Sequence, residues 1–199
     1  MIMIAAAKPA NWISPEEYIA GEKLSEIRHE YVDGVVYAMA GASDDHNRIA
    51  GNIFRELSNA LRGHRCEPFI HDMKAKIPPT FANVYYYPDV MVVCDSTDNA
   101  KYYREKPSVI FEVISPDTEG TDRREKAIAY STIPSVTTYV IVEQDRMAAR
   151  ILHRAEAGWR TETIDGRDAV LKLNSLGIEI PFERVYERTA ALKAVHASN

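Results

Sequence analysis

The sequence predicts an α/β (α+β) domain, in which a mixed central sheet is flanked by helices and continues into an antiparallel C-terminal extension. Three apolar, β-branched segments at 85–94, 108–114 and 137–143 predict the central strands. The stretch 121–130 begins with a capping residue and stops before Pro134, which predicts a helix between the last two strands. A strand, a helix and a strand in this order normally form a right-handed parallel crossover.

The N-terminal part of the chain carries the signals of two helices and a hairpin. Ser14 and Pro15, followed by two acids, predict the start of a short helix. The Asp33-Gly34 dipeptide between β-forming residues predicts a hairpin. Apolar residues recur at helical spacing over 46–62, so a long amphipathic helix should pack on the sheet, with its cap among residues 43–45.

The C-terminal part predicts the antiparallel extension. Polar and apolar residues alternate over 146–173, with turn signals near Gly158 and Gly166. A short helix over 181–186 should close the domain.

The composition is that of one soluble globular domain. A chain of 199 residues that is 46% hydrophobic and 27% charged is close to the average for such domains, which argues against disorder and against a membrane protein. We expect a single domain over 14–190, a loose N-terminus over 1–13 and a tail over 191–199. The apolar start has no preceding basic stretch and meets Lys8 too early for a signal sequence.

The net charge limits the ways in which the chain can meet nucleic acid. At −5 the protein has no overall attraction to phosphate backbones, so any contact needs a local basic groove. Lys101, Arg104 and Lys106 form a local basic cluster in the loop 95–107, although a solvated charged loop is the commoner meaning of such a cluster.

The two cysteines, Cys66 and Cys94, have neither metal-ligand nor redox spacing. Cys94 ends an apolar run, where a free buried thiol is the ordinary expectation. We therefore expect free thiols and a reducing cytoplasm.

Two carboxylates in apolar strands are the strongest functional signal. Glu112 interrupts an apolar strand, and Asp89 opens another. An unpaired charge in a low-dielectric interior costs several kcal/mol or more, so each acid should be neutralised, paired or bound to a metal. Two acids on two core strands suggest a site for a divalent cation.

The predicted helix after the Glu112 strand adds further groups. Strand alternation directs Glu112 into a helix-covered layer, and the four-residue spacing of Lys126 and Tyr130 places both on one stripe of the helix. Lys126 can then reach back toward the acids. Asp89, Glu112, a backbone carbonyl and retained water are a usual way to bind Mg²⁺, which activates water for hydrolysis.

Each of these residues has a structural alternative. Glu112 can form a buried ion pair without a metal, and Asp89 can be a carboxylate at a strand start. Lys126 with Asp122 can be an ordinary surface pair on a helix. His46 can contact a substrate phosphate, or it can lie in a capping region with no catalytic role. Tyr130 can serve packing alone.

Other chemistries lack support in the sequence. No glycine-rich loop with an adjacent lysine and no dinucleotide fingerprint is present, which argues against ATP and NAD. His64, Cys66 and His71 match no common zinc spacing. Ser115 lacks the glycine elbow of serine hydrolases.

The candidate site residues carry a family resemblance that covers most of the chain, from Glu30 and His46 to the strand that ends near Glu143. They occur in this order: Pro88-Asp89-Val90, Glu112-Val113-Ile114-Ser115, Asp122, Lys126 and Tyr130. The pattern resembles the Uma-type family of restriction-endonuclease-like proteins in the PD-(D/E)XK nuclease superfamily.

The resemblance implies a restriction-endonuclease-like core. It implies Asp89, Glu112 and the backbone carbonyl of Val113 as ligands of Mg²⁺, for which Mn²⁺ can substitute, and Glu30 as a contribution from the first element. The chain departs from the superfamily pattern at Ile114, where a lysine is expected, so that role would pass to Lys126. A homodimer acting on DNA is also a family-level expectation.

Three hypotheses follow from the sequence. The first is a Mg²⁺-dependent endonuclease that cleaves DNA. The second is a nucleic-acid-binding or regulatory module that keeps the nuclease fold without turnover. The third is a scaffold with an empty acidic pair.

Overall fold

The computed structural model describes residues 11–78, 83–114 and 121–197. Within these ranges the helices are α1 (Pro15–Glu22), α2 (Asp44–Ala60), α3 (Thr121–Ser131), α4 (Phe182–Val185) and α5 (Ala190–Ala197). The strands are β1 (His29–Val32), β2 (Val35–Ala38), β3 (Glu67–Ile70), β4 (Lys74–Ile77), β5 (Val84–Tyr86), β6 (Val90–Val93), β7 (Tyr103–Arg104), β8 (Pro107–Ile114), β9 (Thr138–Glu143), β10 (Ala148–Ala155), β11 (Gly158–Asp165), β12 (Val170–Leu173) and β13 (Ile178–Pro181).

The larger sheet is mixed, as the sequence predicts. Its strand order is β11-β10-β9-β8-β6-β3. Strands β8 and β9, which precede and follow α3 in the chain, are paired in parallel, and this confirms the predicted crossover. The other strand pairs of this sheet are antiparallel. Helix α2 packs on one face through its buried stripe of Ile49, Ile53 and Leu57. The opposite face meets α3 and the second sheet.

The second sheet has the order β2-β1-β5-β4-β7 and contains the predicted hairpin. Asp33 and Gly34 both have positive φ, 47° and 97°, as a two-residue turn of type I′ requires. A side chain on Gly34 would overlap the ring of Trp12. The turn sets the register of the hairpin, in which Glu30 lies opposite Tyr37.

The segment 85–94 is two strands in two sheets, and the prediction of one strand was wrong. Strand β5 belongs to the second sheet and β6 to the larger one. Pro88 lies between them and has no N–H to donate to a strand ladder, so the pairing is interrupted there. The chain crosses between the sheets at this point and leaves Asp89 at the entrance of β6.

The predicted helix starts are confirmed by their caps. Ser14 and Glu17 form a reciprocal capping box on α1, and the Ser43 side chain accepts a hydrogen bond from the His46 N–H at the start of α2.

The predicted C-terminal extension is also present. Strands β10 and β11 extend the larger sheet, whereas β12 and β13 form a ladder of their own. Helix α4 lies within the predicted 181–186. The segment expected as a tail contains most of α5, which begins at Ala190 and buries Ala191. None of the described helices is long and apolar enough to cross a membrane.

The expectation of free thiols was wrong, because Cys66 and Cys94 form a disulfide. Cys66 directly precedes β3 and Cys94 directly follows β6. These strands are antiparallel neighbours, and Glu67 and Val93 are their terminal pair. The pairing therefore brings the two sulfurs together although the cysteines lie 28 residues apart in the sequence.

We predict that reduction of this disulfide destabilises the protein. A covalent loop of this size lowers the entropy of the unfolded chain by an amount equivalent to about 3–4 kcal/mol. Urea unfolding with and without dithiothreitol should show this loss in the free energy of unfolding. The Cys66→Ser, Cys94→Ser double variant should match the reduced parent and ignore the reductant. Two titratable thiols in the unreduced, denatured parent would contradict the prediction.

Candidate functional site: an acidic cleft with a buried lysine

Glu112 lies in the middle of the larger sheet, on the β8 face that α3 covers. Its neighbours on that face, Ile110 and Ile114, belong to the apolar layer beneath α3 and the second sheet. Only 8% of Glu112 is exposed. The predicted orientation of this carboxylate is therefore confirmed.

Lys126 is the cation of the site, and it is shared between two acids. Its Nζ atom lies 2.7 Å from Oε1 of Glu30 and 4.0 Å from Oε1 of Glu112, and its side chain is mostly buried. Glu30 comes from β1 of the second sheet, Glu112 from β8 and Lys126 from α3. Three elements thus meet at one ion-pair cluster.

Tyr130 fixes the other side of Glu112. Its hydroxyl donates a hydrogen bond to Glu112 Oε1 at 2.8 Å. The ring is fully buried and packs against Tyr86 and Tyr139. Burial raises the pKa of Tyr130 well above its ordinary value, so the phenol stays protonated and acts as a donor.

The surroundings of Glu112 disfavour the ionised form of its carboxyl group. Burial raises its pKa to about 8; Lys126 opposes the rise, while the charges of Asp89 and Glu30 add to it. A bound cation would favour the ionised form of this carboxylate.

Asp89 is held by the backbone of the neighbouring strand. Its Oδ2 atom accepts a hydrogen bond from the Val113 N–H at 2.7 Å. The N–H and the carbonyl of a strand residue point to the same side of the strand, so the Val113 carbonyl faces the β6 side as well. The family resemblance seen in the sequence implies this carbonyl as a metal ligand.

Two histidines flank Asp89. His46, in the first turn of α2, has Nε2 3.2 Å from Asp89 Oδ2. Burial lowers the pKa of His46, but the hydrogen bond to Asp89 and the charge of that residue outweigh burial and raise it. The other ring nitrogen, Nδ1, is buried without a hydrogen bond of good geometry, although the Val113 backbone lies near enough to contribute to the raised pKa.

His71 is a site residue that the sequence analysis considered only as a zinc ligand and did not place beside Asp89. It follows β3, has φ of 52°, and donates its backbone N–H to the Asp89 carbonyl. Its ring Nδ1 lies 3.8 Å from Asp89 Oδ1, and burial lowers its pKa. The pairing of β3 with β6 creates this contact, and no spacing in the sequence indicates that pairing.

The hydrogen bonds that Asp89 and Glu112 accept from the described residues use one oxygen atom of each acid. Among the hydrogen bonds within the described residues, those to Asp89 use Oδ2 and the one to Glu112 uses Oε1. Within these residues, Oε2 of Glu112 accepts no hydrogen bond, and Oδ1 of Asp89 has the His71 ring at 3.8 Å, beyond hydrogen-bond distance. In the same part of the chain, no three His, Cys, Asp or Glu side chains form a ready-made metal cluster. A cation here would rely on two carboxylates, a backbone carbonyl and water.

These groups line a cleft of about 1130 Å³ that opens between the two sheets. Its lining includes Glu30, His46, His71, Asp89, Glu112, Val113 and Lys126. It also includes Tyr37 of β2, which the sequence reasoning did not single out. The predicted site residues are thus brought to one cavity, with Tyr130 behind Glu112.

In the basic loop 95–107, Arg104 and Lys106 contact other residues of the protein. Lys106 pairs with Asp95 at 2.8 Å. The Arg104 guanidinium donates to the carbonyls of Ala100 and Tyr103 and packs on the Phe69 ring.

Comparisons with known proteins agree with this architecture. Residues 15–183 match the family model Uma2, described as "Putative restriction endonuclease". Two proteins of Synechocystis sp. (strain ATCC 27184 / PCC 6803 / Kazusa) are similar over their whole lengths. The uncharacterized protein slr1290 is 32% identical over 96% of this chain, and the uncharacterized protein sll1609 is 30% identical over 89% of it.

A solved structure shares the fold. It is described as a putative nuclease belonging to DUF820 from Anabaena variabilis ATCC 29413. The TM-score is 0.66 at 14% identity, with 81% of this chain and 91% of that chain covered. The fold, the extent of the family match and the full-length relatives agree: this chain belongs to the Uma2 family.

Proposed function

We propose that this protein is a Mg²⁺-dependent endonuclease that hydrolyses phosphodiester bonds of DNA. The observation that carries the proposal is the cluster of Asp89, Glu112 and Lys126 at the floor of one cleft. Glu112 comes from β8, Lys126 comes from α3, and Asp89 directly precedes β6. Glu112 is buried in an apolar layer, and the side chains of Asp89 and Lys126 are mostly buried. Membership of a family whose model is described as "Putative restriction endonuclease" supports the same chemistry.

The donor set suits a hard divalent cation. Asp89 and Glu112 each have one oxygen atom that accepts no hydrogen bond from the described residues, and the Val113 carbonyl faces the Asp89 side of its strand. Mg²⁺ characteristically binds through one or two carboxylates while keeping several waters. When bound, the metal would lower the pKa of a water molecule and offset charge on the attacked phosphate.

The remaining side chains have distinct roles in this proposal. Lys126 would donate to the phosphate oxygen on which charge develops or orient the attacking water. Glu30 holds the Lys126 ammonium in place at 2.7 Å. Tyr130 fixes the rotamer of Glu112, and His46 holds Asp89. His46 is thereby better placed to position an acid than to bind a phosphate directly.

A second candidate is a nucleic-acid-binding or regulatory module without turnover. The position of Lys126 favours it, because the ammonium lies closer to Glu30 than to Glu112. Ile114, at the position where the superfamily pattern has a lysine, points the same way. The experiments below separate the two candidates.

Several finer expectations stay predictions. They are the homodimer, the choice of DNA, the use of Mn²⁺ in place of Mg²⁺, and the cytoplasmic location. The disulfide removes the free thiols on which the last of these partly depended.

We predict that Asp89→Asn and Glu112→Gln each lower metal-dependent cleavage by about 10²-fold or more, since each removes a charged ligand. A cleavage assay on single- and double-stranded DNA with Mg²⁺, Mn²⁺ or EDTA measures this. Calorimetric titration of both metals into the same proteins should show that binding is lost with activity. Glu179→Gln, an exposed acid of β13, is the matched control. Variants that cleave as well as the parent would exclude the assignment, and metal binding without cleavage by the parent would support the module.

Lys126→Met should separate chemistry from metal binding. We expect cleavage to fall by about 10²–10³-fold, because a charged donor to the reacting phosphate is lost. Metal binding should persist at pH 9, because the high pH and the bound cation both favour the ionised form of Glu112, although the loss of Lys126 raises the pKa of this carboxylate further. Loss of both properties would mean that Lys126 only maintains the acid cluster.

Glu112→Gln should also change the dependence of stability on pH. The folded-state pKa of about 8 exceeds the ordinary value of 4.5, so the parent loses stability as the pH rises between these values. The amide has no such loss. In EDTA, the variant should have the higher Tm at pH 9, with roughly 2–4 °C for each kcal/mol gained.

Mg²⁺ provides the control for this experiment. Because the metal should stabilise only the parent, it should narrow the difference in Tm between the two proteins. A difference in Tm at pH 9 that does not change when Mg²⁺ is added would indicate an acidic scaffold that binds no metal.

A further inference from the structure

Tyr37 lies beside the candidate catalytic groups. In the hairpin register it stands directly opposite Glu30, and directly opposed residues of antiparallel strands share a face with Cβ atoms about 5 Å apart. Glu30 in turn contacts Lys126. The Tyr37 side chain therefore projects into the cleft next to Glu30, which separates it from Lys126.

The wall around Tyr37 is apolar and open to solvent. Tyr37 is 55% exposed and Ile27 57%, and Met39 lies half-buried on the same wall. The backbone of Met39 continues the hairpin ladder by donating to the Arg28 carbonyl. Exposed large apolar side chains grouped at a cleft mark a binding surface.

The charges of the cleft disfavour a duplex. Its described lining carries the acids Glu26, Glu30, Asp89, Glu112 and Glu125, against the cations Arg28 and Lys126. Both cations are paired, Arg28 with Asp72 at 2.9 Å and Lys126 with Glu30. A duplex presents two closely spaced rows of phosphates that require basic contacts. The faces of unpaired bases carry no net charge and stack on aromatic rings.

We propose that the cleft takes single-stranded DNA, with an unpaired base next to the cleaved phosphate stacked on Tyr37. Ile27 and Met39 extend this base-contacting wall. The inference depends on the proposed nuclease function and specifies its substrate. In this arrangement the aromatic and apolar wall binds the faces of the bases, while the bound metal and Lys126 contact one phosphate group.

Binding experiments test the role of Tyr37 in the Glu112→Gln background. Cleavage and metal binding are both expected to be lost there, so the contribution of the base contacts is measured without that of the metal. Fluorescence anisotropy with a labelled single-stranded 15-mer, and with the same strand in a blunt duplex, measures the dissociation constants. The single strand should bind more tightly. Tyr37→Ala should weaken its binding by about 5- to 150-fold, the effect of losing one stacked base. Tyr37→Phe, which keeps the ring, should stay within about twofold of its background protein.

Val36→Ala is the matched control. Val36 is 43% exposed on the same strand but faces the other side of the sheet, opposite Tyr31. It should bind the single strand like the background protein. Circular dichroism of each variant should show an unchanged fold, because the substituted side chains are exposed.

The outcomes distinguish this inference from the proposed function. Tighter binding of the duplex, or no effect of Tyr37→Ala, would overturn the inference, while loss of cleavage in Asp89→Asn would still uphold the nuclease. If the parent neither binds nor cleaves either DNA with Mg²⁺ or Mn²⁺, the proposed function fails, and the inference fails with it.

Discussion

The burial of the Glu112 carboxylate is the constraint on which the site depends. A charge in the middle of an apolar sheet needs partners, and the fold supplies them from outside its own strand. Tyr130 donates from α3, and Lys126 approaches from the same helix while held by Glu30 of the second sheet. The second sheet therefore completes the electrostatic environment of the first, besides covering its apolar face.

The break at Pro88 gives the second acid its position. Because strand pairing stops there, Asp89 is released from the ladder of the second sheet and enters the larger one beside β8. Its carboxylate then accepts the Val113 N–H, one residue beyond Glu112. The two acids are thus held on adjacent strands by backbone geometry, which is less easily perturbed than contacts between long side chains.

Much of this arrangement follows from local patterns in the sequence. The alternation around Glu112 and the four-residue spacing of Lys126 and Tyr130 predict which groups share a layer. The Asp33-Gly34 turn would even have placed Tyr37 opposite Glu30, since a two-residue turn fixes the register. His71 and the disulfide could not be found in this way, because both depend on the pairing of β3 with β6. That pairing joins segments separated by about twenty residues, and strand patterns do not name their partners.

The ladder between β3 and β6 has a covalent bond at one end and the site at the other. The disulfide closes it beyond Glu67 and Val93, and the hydrogen bond from His71 to Asp89 closes it beyond Ile70 and Val90. A slip of one residue would turn every side chain of this edge strand to the opposite face. The disulfide prevents that slip. It therefore fixes the strand register that places His71 beside Asp89, although four residue pairs separate His71 from the disulfide.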